Sequence, residues 1–161
     1  MTPQPTADDN AWAPWRELFG RWVGTGDGTP GQGTGWFTFA LDLQGQILVR
    51  TNHAEYPATA SQPAYVHDDL LIVYQDPAGA AGRAIYFDNE GHVIDYTTIT
   101  VTEHTVQLLS APVPALPRYR LTYTPTGPDA LTLTFEIAPP GAPEAFVRYI
   151  EAQARREAGL A

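Results

Sequence analysis

From residue 35 onward, apolar and polar side chains trade places with a period of two. That is the spacing of a strand with one buried face. GWFTFALDL (35–43) sets Phe37, Phe39, Leu41 and Leu43 against Trp36, Thr38, Ala40 and Asp42. Strand-like runs follow at QILVRTNHAEY (46–56), DDLLIVYQ (68–75), RAIYFD (83–88), HVIDYTTITVT (92–102), TVQLLS (105–110), PRYRLTYT (117–124) and ALTLTFEIA (130–138). Short polar or glycine-bearing segments separate them, among them QGQ (44–46), DPAGAAG (76–82), NEGH (89–92) and PTGPD (125–129). Strands joined mostly by tight turns predict an antiparallel meander. A meander this long removes its exposed edges by closing into a barrel, of about eight to ten strands.

Other segments depart from the rhythm. In AWAPWRELFGRW, Trp15, Leu18 and Phe19 share one face at spacings of three and four, and Pro14 suits a first helical turn. A short helix over 12–19 is expected, stopped at Gly20. Residues 1–10 are polar and rich in Pro, Thr and Asp; they read as a flexible tail, leaving 11–161 as one barrel domain. The C-terminal PEAFVRYIEAQARREAGLA has Phe146, Tyr149, Ile150 and Gln153 at helical spacing, yet Tyr149, Glu151, Gln153 and Arg155 also alternate. Because a barrel needs a closing strand, a short helical turn at 143–147 followed by a strand is the reading adopted, with a helix as the open alternative.

The chain of 161 residues is long enough for one domain with a real core. Its net charge of −9 argues against polyanions as main partners, so neither nucleic acid nor an anionic membrane is expected. All nine basic residues are arginine, which removes lysine Schiff-base chemistry; the absence of cysteine removes disulfides, thiolate catalysis and cysteine metal sites. MTPQPTADDN has neither a basic nor an apolar leader segment, and no apolar run approaches the roughly 20 residues that span a bilayer. A cytoplasmic, bacterial protein is the expectation.

FGRWVGTGDG (19–28) is rich in glycine, as phosphate-cradling loops are. Such loops need a strand before the glycines and a helix after them, so that N–H groups aim at the anion. Here the helix precedes and the strand follows, and neither G-x-G-x-x-G nor G-K-[ST] occurs. The glycines read instead as places where the first strand bends or approaches its neighbours closely.

Gly20-Arg21-Trp22, after a helix and at the opening of a barrel, resembles the G-x-W element of lipocalin-like (calycin) proteins. The resemblance implies that Trp22 plugs the closed end and that an arginine of the last strand, Arg155 or Arg156, lies over its ring. LFGRWVGTG, AIYFDNEGHVIDY and RYRLTYTPTGPDALTLTFEIAPPG resemble a bacterial group of small lipocalin-like proteins of undescribed function, the DUF1579-like group. That likeness implies an all-β, single antiparallel lipocalin-like barrel with a central cavity, and no particular reaction. Gly20, Trp22, Gly24 and Gly26 are also similar to the opening of nitrobindins, which bind haem through a histidine near the C-terminus. No histidine follows His104, so no cofactor is expected.

The four histidines, His53, His67, His92 and His104, show no H-x-H, H-x-x-x-H or HExxH spacing, so no metal is expected. Ser61 and Ser110 are the only serines and neither lies in G-x-S-x-G. The tyrosines carry more. Tyr74, Tyr86, Tyr96, Tyr119 and Tyr123 all fall on expected strands; Tyr119 and Tyr123 share a face with Leu121, Tyr74 with Leu70 and Ile72. Singly each reads as core filling. Together with Arg50 and His53 or Asp88 they would make an apolar interior with a few polar handles, the composition of a small-molecule site. Arg50 shares a face with Leu48, Asn52 and Ala54; parity alone leaves it solvated or inward, and inward it needs an acidic or anionic partner.

The expected function is binding of a small, mostly apolar, aromatic or acidic ligand, at candidates Arg50, His53, Tyr74, Tyr86, Tyr96, Tyr119 and Tyr123. A homodimer stays open. One rival is an enzyme of lyase, cyclase or isomerase type using Tyr74, Tyr86, Arg50 and Asp88, which requires a carboxylate or arginine within hydrogen-bond reach of a cavity tyrosine. The other is a packed barrel serving as a structural or interaction module, which requires that no cavity exist.

Overall fold

Ten antiparallel strands close into one barrel. They are β1 (Gly20–Gly28), β2 (Gly33–Asp42), β3 (Ile47–Tyr56), β4 (Tyr65–Gln75), β5 (Gly82–Asp88), β6 (Val93–Val101), β7 (Val106–Ser110), β8 (Arg118–Gly127), β9 (Ala130–Ala138) and β10 (Val147–Arg156). Each pairs with its sequence neighbours, and β1 pairs with β10 to complete the ring. The computed structural model describes residues 11–77 and 82–158; the tail expected over 1–10 lies outside them.

The alternating runs become strands because one parity of each meets the same interior. Phe37 and Phe39, Leu71 and Val73, Leu121 and Tyr123, and Leu131 and Leu133 all point inward and are buried. Gly24 and Gly35 are cross-strand partners on β1 and β2. A Cβ on Gly24 would collide with the carbonyl oxygen of Gln153, and one on Gly35 with that of His53. These glycines allow close backbone approach, as the sequence suggested for the first strand.

The N-terminal helix is a 3-10 helix, Ala13–Leu18, with Pro14 in its first turn and Trp15 and Leu18 buried. It caps one end of the barrel. Trp12 donates from Nε1 to the Gly45 carbonyl in the β2–β3 turn at 2.8 Å. Trp22, 1% exposed, donates to Leu18 O at 2.8 Å and stacks on Phe37 at 6.3 Å. The Arg156 guanidinium lies 4.3 Å from the centroid of the Trp22 ring. It also bonds the carbonyls of Glu17 and Phe19 and the Asp129 carboxylate. Arg155 is exposed on the outer face, so of the two arginines only Arg156 covers the plug.

At the C-terminus the closing strand forms, as barrel closure demanded. The helical turn expected at 143–147 shrinks to a hydrogen-bonded turn, Ala145 N to Ala142 O at 3.0 Å, because the chain must extend from Val147 to pair with Ile137. The register shifts between Arg148 and Ile150, a bulge that turns Tyr149 toward the interior against Phe135.

Candidate binding cavity

Opposite the plug, the barrel opens into a cavity of about 690 Å³. The interior is therefore not the filled core that the packed-module reading requires.

Two unlike walls face each other. On β8, β9 and β10, the inward residues are Tyr119, Leu121, Leu133, Phe135, Ile137, Ile150 and Ala152. Tyr119 and Phe135 stack at 6.0 Å and 5°, and Tyr149 meets Phe135 edge-on at 6.1 Å. Across the ring, β3, β4 and β5 contribute Arg50 and Asn52, His67 and Asp69, Tyr86 and Asp88. Each of these three strands is apolar near the plug, at Leu48, Leu71 with Val73, and Ala84, and turns polar toward the mouth on the same parity. Tyr56 and Tyr65, a cross-strand pair stacked at 4.7 Å, stand at the mouth.

The polar wall is one hydrogen-bonded network. Arg50 is 3% exposed and Asp69 8%; the guanidinium pairs with Asp69 and donates to the Tyr123 hydroxyl at 2.9 Å. Burial of two charges is tolerated only when they meet each other. The second Asp69 oxygen accepts from Asn52 at 2.9 Å and faces His67 Nε2 at 3.2 Å. His67 also contacts the Tyr86 hydroxyl at 3.0 Å through Nε2 and Glu90 at 2.9 Å through Nδ1. Tyr86 in turn donates to Asp88 at 3.2 Å. Burial pushes the Tyr86 phenol far above its ordinary range, with the Asp88 charge adding to the rise and Arg50 opposing it, so it stays protonated. Burial alone would raise the Asp88 carboxyl. Hydrogen bonds from the His92 and Glu90 backbones and from the His92 ring outweigh that and lower it.

The sequence candidates separate. Arg50, Tyr86, Tyr96 and Tyr119 line the cavity. Arg50 is inward rather than solvated, on the parity of Leu48, and its partner is Asp69. Tyr123 is fully buried beneath the cavity floor, edge-on to Phe39 at 5.1 Å, and meets the site through its hydrogen bond from Arg50 and its ring contact with Phe37 at 6.0 Å. Tyr74 does not reach the cavity: its face, shared with Leu70 and Ile72, is the outer one, because Leu71 and Val73 take the interior. His53 borders the cavity, but its ring stacks outside on Trp36 at 5.8 Å and bonds Asp68 and Glu55.

Sequence reasoning missed Asn52, His67 and Asp69. A signal existed: once Leu71 and Val73 are inward, Asp69 and His67 follow on parity. LLIVY is apolar on both faces, however, and hid which parity faced inward. Tyr149 depends on the bulge, which nothing in its run announces.

At the surface, the hydrogen bond to Glu55 first, and then that to Asp68, raises the His53 pKa above 6.5. A raised value means a contribution to stability that is present below pH 6.5 and lost as pH climbs through the folded-state value. A proton NMR titration should place the His53 ring above 6.5, and Glu55→Gln should move it down. A midpoint at or below 6.5 would show that neither carboxylate holds the ring.

No protein-family model matches the chain, and no curated protein does. Among solved structures, Rv2717c from M. tuberculosis is similar with a TM-score of 0.62, covering 91% of this chain and 97% of its own, at 17% identity. The S-type phycobiliprotein lyase CPES from Guillardia theta is similar with a TM-score of 0.55, covering 98% of this chain and 100% of its own, at 8% identity. At such identities the likeness is one of fold, a closed ten-stranded antiparallel β-barrel.

Proposed function

We propose that the barrel reversibly binds a small, mostly apolar molecule in its open cavity. The observation that carries this reading is the pair of opposed walls, an aromatic and aliphatic surface on β8–β10 facing a hydrogen-bonded polar surface on β3–β5. A molecule with an apolar body and a polar handle satisfies both at once, and burial of its apolar surface contributes about 25 cal/mol per Å². The resemblance to the DUF1579-like group and, more distantly, to nitrobindin supports a barrel cavity and adds no reaction. Around the cavity, Arg50, Tyr86, Tyr96 and Tyr119 are the proposed contacts. Tyr123 is a support for Arg50.

The test is native mass spectrometry of freshly purified protein beside its denatured mass, with added naphthalene-sized probes if the cavity arrives empty. An excess mass lost on denaturation, or a probe retained at one per chain, is the expected result. A native mass equal to the bare chain with no probe retained would end the binding reading.

A second reading has one specific support. Tyr86 lies within hydrogen-bond reach of Asp88 and of His67, whose far nitrogen is held by Glu90. A cavity tyrosine so linked to solvent-facing groups can relay a proton to a bound molecule. That reading predicts conversion of the co-purified molecule; a ligand whose mass and NMR spectrum are both unchanged after prolonged incubation argues against it. It ranks second because Asp69 and Asp88 are both engaged on both oxygens and Asp88 is held at low pKa, which makes each a poor base.

A further inference from the structure

We propose that the cavity wall contains an acceptor subsite, formed by the Tyr96 hydroxyl with Arg50 beside it, that takes the neutral carbonyl oxygen of a planar aromatic ligand. The inference rests on the reading of the cavity as a ligand site and specifies what the ligand carries.

Tyr96 is 1% exposed and lines the cavity, and its hydroxyl has no hydrogen-bond partner among the described residues. Arg50 lines the same cavity, and its Nε–H is buried without a partner. Burial raises the Tyr96 pKa, opposed by the nearby Arg50 charge, so the phenol keeps its proton and donates. A cavity-lining hydroxyl that donates to nothing in the chain asks for an outside partner.

The two carboxylates of the wall are already occupied. Asp69 is taken by Arg50, Asn52 and His67, and Asp88 by Tyr86, His92 and the Glu90 backbone. The Tyr96 hydroxyl takes neither of them, and a ligand that brings an acceptor fills that place. A carboxylate is the wrong one. The Arg50 charge is already matched by Asp69, Glu90 stands at the mouth, and the chain carries −9 overall. A neutral carbonyl accepts from the Tyr96 hydroxyl, in the field of the Arg50 charge, without bringing a third charge near Asp69. The stacked Tyr119–Phe135 pair across the cavity then offers a flat face to the ring.

The test is isothermal titration of the full chain with three probes of one shape: 2-acetylnaphthalene, 2-ethylnaphthalene and 2-naphthoate. The acetyl compound should bind about tenfold tighter than the ethyl compound. In the Tyr96→Phe variant that preference should vanish. The carbonyl stretch of bound 2-acetylnaphthalene should lie lower in the wild type than in the variant. Loss of a buried, unpartnered hydroxyl should leave the melting temperature unchanged or raised, which separates loss of the subsite from loss of the fold. Equal affinity for acetyl and ethyl probes, a preference that survives Tyr96→Phe, or tightest binding of naphthoate would each overturn the subsite alone. Binding of none of the three, together with a bare native mass, would overturn the binding reading and the subsite with it.

Discussion

Asp69→Ala should lower stability by about 3–5 kcal/mol, among the largest effects of any single substitution in this chain. The reason is what it leaves behind. Arg50 is 3% exposed, and without Asp69 its guanidinium keeps only the Tyr123 hydroxyl as a partner. Asn52 and His67 lose an acceptor at the same time. A buried charge with no counterion is far costlier than the pair was stabilising. For a chain of this size, each kcal/mol moves the melting temperature by roughly 2–4 °C, so a fall of about 10 °C is expected in a calorimetric scan. The double variant Arg50→Met, Asp69→Leu removes both charges and should recover most of the loss. A single variant within about 1 kcal/mol of wild type would mean that the guanidinium finds water or another partner when Asp69 is gone.

Trp22→Ala should cost a similar amount, about 3–5 kcal/mol, for a different reason. Its indole is 1% exposed between the 3-10 helix and the barrel floor, hydrogen-bonded to Leu18 O and stacked on Phe37. Truncation opens a cavity at the closed end and unties the plug. Arg156→Ala should cost less, about 1–3 kcal/mol, from the lost cation–π contact and the carbonyl bonds to Glu17 and Phe19. Arg155→Ala, one residue away and exposed, should change little. Urea midpoints with unchanged slopes would report these losses as stability alone. Equal effects at 155 and 156 would remove the assignment of Arg156 to the plug.

The barrel was legible in the sequence because most strands carry one apolar parity and end in turn chemistry, so strand and turn agreed. Trp22 and its arginine were legible through a resemblance, with the choice between 155 and 156 left to register. The binding wall was harder. Strand β4 is apolar on both faces, so Tyr74 looked as much an interior residue as Val73, and the parity that buries Asp69 could not be chosen. Arg50 was undecidable for the same reason: its partner Asp69 sits on the next strand, and pairing across strands is a property of register rather than of either run. His53 sits among the inward-reading residues of its run only if β3 is shifted by one, which is the shift that cross-strand pairing with β4 forbids.

The seam between β1 and β10 has a consequence for how the chain is made. Arg156 fixes the carbonyls of Phe19 and Glu17 across sequence separations of 137 and 139 residues. During synthesis the first strand therefore waits, unpaired on one side, until Val147–Arg156 have left the ribosome. The nascent protein spends that interval as an open sheet with two raw edges, and the plug is locked only when the barrel shuts. A chain interrupted before residue 147 would keep those edges for good, and would be expected to associate with others through them.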